Sequence, residues 1–377
     1  MQSEKAARMA LSCALDGGEP DAAKLVESLG AQGAWAKVEE GALGEPLARR
    51  AAATDLEAVQ RLAARGGVRF VIPGEEEWPE GLDDLAYAGP IQRRGGLPFG
   101  LWLRGPGHLA QLASQSVAVV GSRAATAYGS GFATDLAAEL AELGVTVVSG
   151  MAFGIDAAAH RGALVVGGRT LGVVANGVDV AYPPGNTPLF DAVGRDHLLV
   201  SELPPGAHPT RIRFLARNRL IAALSRGTVV VEAALRSGAR NTASWALECQ
   251  RPLMAVPGPV HSRASTAPHL MIRNGQATLV TRAAEVMELV AGMGEHLVVT
   301  AASPRRRTDA LTEDQLAVFE ATPARGRVSF GDIALAAGVP VPTCLAALQE
   351  LEAAGLVEGS AQGWRALPLR ALTPVSP

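Results

Sequence analysis

Six short apolar runs recur between residues 117 and 256, each separated from the next by a stretch of helical character, and no other feature limits the possible folds as much. The runs are Val117–Val120, Val145–Val148, Leu171–Val174, Leu198–Val200, Val229–Val231 and Leu253–Val256. Each is apolar at consecutive positions, as strands covered on both faces are, and strands alternating with helices predict a parallel sheet wound in both directions. The expected core is therefore α/β, an extended Rossmann-like doubly wound sheet. Upstream, Val68–Ile72 and Leu101–Leu103 read as edge strands laid against it, with Trp78-Pro79 between them.

The flanks differ in pattern. Residues 1–66 hold Ala- and Leu-rich helical pieces such as Asp21–Leu29 and Thr54–Ala64, broken at Gly17-Gly18, which predicts a small helical domain. Residues 67–295 form the sheet domain. A linker spans 296–310, preceded by Gly292 and Gly294 and holding Ser303-Pro304-Arg305-Arg306-Arg307. In 311–377, helices over Thr312–Glu320, Phe330–Ala337 and Thr343–Ala354 precede a hairpin through Leu356-Val357 and Trp364-Arg365, the order of a winged helix. A third helix that reads duplex DNA needs cations or amides facing the bases. This one has no cation and two glutamates, so a protein-contact module is the better expectation.

Composition removes several function classes. Lys+Arg 34 against Asp+Glu 37 leaves a net charge of −3, so a nucleic-acid role has to rest on a local basic patch. Cys13, Cys249 and Cys344 are far apart and without C-x-x-C spacing, which predicts reduced thiols, no zinc site and a cytoplasmic location. Lys5, Lys24 and Lys37 are the only lysines, so no Walker-type loop exists in the sheet domain. A dinucleotide fingerprint is absent too: Gly129-Ser130-Gly131 lies eight residues beyond the strand end, and Ser149 stands where an acid would hold a ribose. No signal peptide or membrane span is expected, and no cofactor.

Ligands of doubly wound sheets bind beyond the carboxyl ends of the strands. Those positions carry Gly121-Ser122-Arg123, then Ser149-Gly150 with Phe153 and Gly154, then Asn176-Gly177, and finally Glu232 followed by the loop Arg236-Ser237-Gly238-Ala239-Arg240-Asn241-Thr242. Small residues with helix N-termini and Arg forks suit phosphate. Between Pro205 and Arg251 there are eight Arg against Glu232 and Glu248, and Arg211, Arg213, Phe214, Arg217, Asn218 and Arg219 crowd the start of one helix. Cations interleaved with an aromatic residue are what a single strand needs. The structural alternative is that these arginines pair with distant carboxylates and that Phe214 is core. Asp156 and His160, four residues apart, read as a helix first turn whose acid complements the dipole.

These residues are recognisable together. VAVVGSR (117–123), SGMAFGIDAAAHRGAL (149–164), VDVAYPPGN (178–186), SELPPG (201–206), FLARNRLIAALS (214–225), VVVEAALRSGARNTASWALE (229–248) and AVPGPV (255–260) resemble the DNA-processing protein DprA (Smf) family over about Trp78–Val286. Helical SAM-like modules before the core and winged-helix modules after it also occur in that family. The resemblance implies a non-catalytic, homodimeric protein that binds single-stranded DNA and loads the RecA recombinase during natural transformation. It carries phosphate binding to Arg123, and strand contacts to Arg211, Phe214 and Arg217-Asn218-Arg219, with 237–242 opposite. Leu215 replaces the family's usual Pro, and residues 265–275 lack the Gly and Asn that open its usual G-x-N-x-L-I-R-x-G-A stretch, so no contacts are assigned there. A different class remains as the alternative: an N-glycosidic bond hydrolase using Glu232 and Arg240.

Overall fold

The computed structural model describes residues 3–291, 308 and 310–368, and the chain divides into two units at Val298/Val299. The predicted linker at 296–310 lies outside the described residues except for 308 and 310.

In the first unit a nine-stranded sheet comprises β1 (Val68–Val71), β2 (Leu101–Arg104), β3 (Ser116–Val120), β4 (Thr146–Ser149), β5 (Thr170–Val173), β6 (Leu198–Ser201), β7 (Thr228–Val230), β8 (Leu253–Ala255) and β9 (Thr278–Leu279). Its order is β1-β2-β6-β5-β4-β3-β7-β8-β9. Strands β3 to β9 pair in parallel, while β1 and β2 add an antiparallel edge on β6. All eight runs read from the sequence are strands. The short β9 adds a ninth.

Four helices precede the sheet: α1 (Glu4–Ala14), α2 (Pro20–Glu39), α3 (Glu45–Ala52) and α4 (Leu56–Arg65). Gly30, at φ 69°, breaks α2. The remaining helices of this unit are α5 (Leu109–Ser114), α6 (Ala127–Glu142), α7 (Ile155–Val165), α8 (Thr187–Asp196), α9 (Arg211–Ala223), α10 (Gly238–Glu248), α11 (Thr266–Arg273) and α12 (Ala283–Val290).

Period-two alternation sends successive strand residues into opposite cores. Ala118, Val120, Val148, Leu171 and Val230 pack with Leu220, Ile221 and Trp245 of α9 and α10. Val117, Val119, Val147 and Val229 pack with Leu136, Leu140, Ile155 and Val286 of α6, α7 and α12. Double coverage is why the runs are apolar throughout.

The N-terminal helices have a small core of their own, centred on Leu11, Leu15, Trp35 and Val38, into which Phe99 of the sheet region inserts. Polar ties join them to the sheet: Asp16 takes a hydrogen bond from Arg213 at 2.8 Å, Glu19 pairs with Arg94, and Ser12 Oγ accepts from Trp102 Nε1 at 3.2 Å.

The chain reverses its direction of growth at β3. From there β4, β5 and β6 build one way, and β7, β8 and β9 build the other. The gap between the carboxyl ends of β3 and β7 is the place where such folds hold ligands.

The second unit consists of α13 (Glu313–Ala321), α14 (Phe330–Ala337), α15 (Val341–Ala353) and a hairpin of β10 (Val357–Ser360) and β11 (Gly363–Ala366). Thr312 caps α13 in a capping box with Gln315. Gly338, at φ 68°, ends α14 at the end of the helix expected over Phe330–Ala337. Both glutamates of α15 are engaged within the unit, Glu350 by Gln315 and Glu352 by the Gly359 amide. Among the described residues no single helix is long and apolar enough to cross a membrane.

Candidate nucleic-acid interface

A cleft of about 1160 Å³ opens at the β3/β7 switch point. Three segments wall it: the loop after β3 with Gly121, Ser122 and Arg123, the outer face of α9, and the loop leading into α10.

The first wall is fixed from both sides. Ser122 N donates to Glu232 O at 2.6 Å, and Ser122 O accepts from Ile155 N at 3.2 Å. A Cβ on Gly121 would lie 2.5 Å from the Ile155 side chain, and one on Gly154 (φ 76°) would lie 2.2 Å from Ser122 O. Both glycines serve close backbone approach, and the result is a rigid pedestal for Arg123. Its guanidinium sits 4.5 Å from the centroid of the Phe214 ring, within cation–π range.

Helix α9 supplies the second wall. Thr210 caps it by accepting from Arg213 N. Arg211, Phe214, Leu215 and Asn218 follow at i, i+3, i+4 and i+7, the spacing of a single helix face, and all line the cleft. Tyr182 flanks Phe214 with ring centroids 5.8 Å apart. The segment holding Tyr182 is itself braced: buried Asn186 donates to Met151 O (3.0 Å) and Ala152 O (3.2 Å), and Asp179 accepts from Gly206 N at 2.9 Å.

The third wall presents the start of α10. Ser237 is the cap, and Arg236, Gly238, Arg240, Asn241 and Thr242 line the cleft. Helix N-termini carry roughly half a positive charge, so α9 and α10 both favour an anion here. Arg240 donates to Leu235 O at 2.8 Å. Among the described residues, Arg123, Arg211, Arg236 and Arg240 form no ion pair with a carboxylate.

The floor is different. Arg217, 6% exposed, donates to Gly150 O at 2.7 Å and also to Val173 O. Burial lowers its pKa to about 10, opposed by Asp156 and assisted by Arg123. Asp156 lines the cleft as well, and its own pKa is raised by burial against the pull of Arg217, the Ala152 backbone, Ser149 and Arg123. Asn218 Nδ2 donates to Asn241 Oδ1 at 3.2 Å and so ties α9 to α10.

Six of the expected contact residues lie outside the cleft lining, each for a visible reason. Ser149 is buried with its hydroxyl on Val119 O at 2.7 Å. Gly150 makes room for Arg217, since a Cβ there would be 2.3 Å from Nη1. Gly154 admits the Ser122–Arg123 backbone, and Phe153 is half exposed beside Gly185. Arg213 pairs with Asp16, and Arg219, wholly buried, pairs with Glu202 at 2.5 Å. The structural alternative thus holds for some arginines of the cluster, including Arg251, which bonds Asp84 at 2.6 Å.

Glu232, the candidate acid or base, does not face the cleft. Its two oxygens accept from Thr126 N (2.9 Å) and Thr126 Oγ1 (2.6 Å) at the cap of α6. His160 is buried with Nδ1 2.7 Å from Thr170 Oγ1, and burial depresses its pKa to about 3. Asp156, Tyr182 and the turn residues Ile91 and Gln92 line the cleft without having been assigned from sequence, and Arg236 of the expected loop lines it too. Among the described residues no cluster of His, Cys, Asp or Glu could hold a metal.

Comparison with known proteins gives a consistent result. Residues 69–301 match the family of DNA recombination-mediator protein A. A Mycobacterium tuberculosis protein that carries the name DNA processing protein DprA is 45% identical over 356 residues, covering 92% of this chain and 90% of the relative. Protein Smf of Escherichia coli is 39% identical over 267 residues, 68% of this chain and 69% of the relative. The X-ray structure of Streptococcus pneumoniae DNA processing protein A aligns with TM-score 0.63 at 30% identity, covering 76% of this chain and 96% of that one. The Helicobacter pylori DNA processing protein A, solved in work on its single-stranded DNA binding mode, aligns with TM-score 0.50 at 27% identity, covering 59% and 94%.

Proposed function

Because the chain belongs to the DNA recombination-mediator protein A family, we propose that it binds single-stranded DNA in the β3/β7 cleft, protects the strand and loads RecA onto it during natural transformation. One observation carries the binding step: four guanidiniums, without carboxylate partners among the described residues, line one cleft with Phe214 where two helix N-termini point. Cations follow phosphates, and each base stacked on an aromatic ring or guanidinium plane adds about 1–3 kcal/mol. Loading of RecA, a homodimeric state and a cytoplasmic setting follow from the family resemblance.

The role is non-catalytic in this reading. The Glu232 carboxylate is occupied by Thr126 and turned away from the cleft, which argues against the nucleotide-hydrolase alternative. The C-terminal unit, whose third helix offers Glu350 and Glu352 and no cation, fits a protein contact better than a duplex groove.

Binding of a labelled poly-dT strand and of its duplex counterpart across a salt series tests the proposal. Four neutralised phosphates predict a slope of log K against log salt of about −3 for the single strand. Equal affinity for both forms, or none at moderate salt, would overturn it. Stimulation of RecA ATPase on the same strand tests the loading step, and nucleotide turnover lost in Glu232→Gln would favour the hydrolase.

A further inference from the structure

We propose that the turn Pro90–Arg94 is a second DNA-contacting element, with Gln92 and Arg93 meeting the sugar-phosphate backbone of a strand that leaves the Arg123–Arg211 rim; this rests on the single-strand reading above. The chain reverses here in two residues. Ile91 and Arg94 exchange both backbone hydrogen bonds, at 2.9 and 3.0 Å, and Gln92 and Arg93 between them have φ of 51° and 64°. Two successive left-handed residues are what a type I′ turn demands, and Asn-Gly or Gly-Gly meets that demand with least strain. Two long polar side chains are held at the tip instead. Backbone strain of this kind persists where surrounding structure over-determines it.

The surroundings do so. Ile91 packs against the core on the α9/α10 side of the sheet. Arg94 pairs with Glu19, Gly95 N donates to Gly18 O at 3.1 Å, and Gly89 N donates to Glu248 at 3.3 Å. Anchored this way, the tip places Gln92 in the wall of the cleft and leaves Arg93 exposed, with no carboxylate partner among the described residues. An amide and an unpaired guanidinium on a fixed support are donors suited to phosphate and sugar oxygens. The turn lies inside the stretch matched by the family, residues 69–301, but before the first of its quoted motifs at Val117.

Glycine at both positions keeps the turn and removes the donors, so it separates binding from folding. In the full chain, Gln92→Gly/Arg93→Gly should unfold at the wild-type temperature or above. Against labelled dT strands of about 4 to 16 nucleotides, the range of single-strand site sizes, it should lose roughly 3- to 10-fold in affinity for the longer strands and little for the shortest. Its salt slope should shrink by about 0.7, one phosphate fewer, and Arg93→Lys should keep the wild-type slope. Wild-type affinity and slope in the glycine variant would overturn the turn's role while leaving the single-strand reading intact, provided Arg123→Ala still weakens binding. Failure of the wild-type protein itself to bind would remove both.

Discussion

One helix, α9, puts the same side chain to two uses. Arg211, in its first turn, is exposed and has no carboxylate partner among the described residues, whereas Arg219, two turns further, is wholly buried against Glu202. Between them Arg213 is half-buried on Asp16, and Arg217 lies under the cleft with its charge spread over two carbonyls. Position on the helix decides which arginine can meet a ligand and which holds the fold, and the border falls between the mouth of the cleft and its floor. The floor continues beyond the cleft lining into the buried Arg219–Glu202 pair, and that part is costly to build. Among the described residues Glu202 Oε2 and Arg219 Nε and Nη1 have no hydrogen-bond partner, and Gly17 and Gly18 close over the pair, a Cβ on Gly17 coming within 2.1 Å of Glu202.

The largest effect expected from this contrast is at the floor. Arg219→Ala leaves Glu202 buried without its partner and should destabilise the protein by about 3–5 kcal/mol in denaturant titration. Since the pair is incompletely satisfied, Arg219→Met/Glu202→Leu should recover most of that loss. A double variant as unstable as the single one would show that the pair does more than neutralise itself.

At the mouth the expected effect moves from stability to binding. Arg123→Ala and Arg211→Ala should each cost about 1.5–3 kcal/mol of affinity for single-stranded DNA, the range for charge-assisted contacts, with the unfolding midpoint unchanged. Phe214→Ala should cost about 1–3 kcal/mol, and its salt slope should stay near that of the wild type because stacking releases no counterion. A changed slope in that variant would mean that Phe214 acts by positioning Arg123.

The smallest effect sharpens the boundary of the buried region. His160 stays neutral in the folded protein because its pKa is depressed to about 3, while the unfolded chain protonates near the ordinary value of 6.5. Stability from this group is present above pH 6.5 and is lost as pH falls toward 3. Lowering pH from 7 to 5.5 should cost about 1 kcal/mol through His160 alone. Urea titrations of wild type and His160→Gln at the two pH values measure it, and identical pH dependence would contradict the assignment.

The sequence exposes the scaffold better than the site. Apolar runs mark β1 to β8 within a residue or two, continuous in the parallel strands because both faces are covered and interrupted by Arg69 in the edge strand β1. The edge strand β9, two exposed residues at Thr278-Leu279, has no such run to reveal it. The same limit explains the loops. Gly150 and Gly154 look like phosphate-cradling glycines in one dimension, yet they make room for Arg217 and for the Ser122–Arg123 backbone. Which arginines face outward was partly legible, since Arg211, Phe214, Leu215 and Asn218 share one helical face. That Asp16 captures Arg213 and Glu202 captures Arg219 depends on contacts across 197 and 17 residues, which no local pattern encodes. Tyr182 and Gln92 reach the cleft by the same kind of long-range folding.

The most direct test of the division between mouth and floor is fluorescence-anisotropy binding of a labelled dT strand of about 16 nucleotides to wild type, Arg123→Ala/Arg211→Ala and Arg219→Met/Glu202→Leu. The mouth variant should lose at least 100-fold in affinity, about 3 kcal/mol or more, with its unfolding midpoint intact, and the floor variant should bind as wild type does. Wild-type binding by the mouth variant, or lost binding in a fully folded floor variant, would contradict the account.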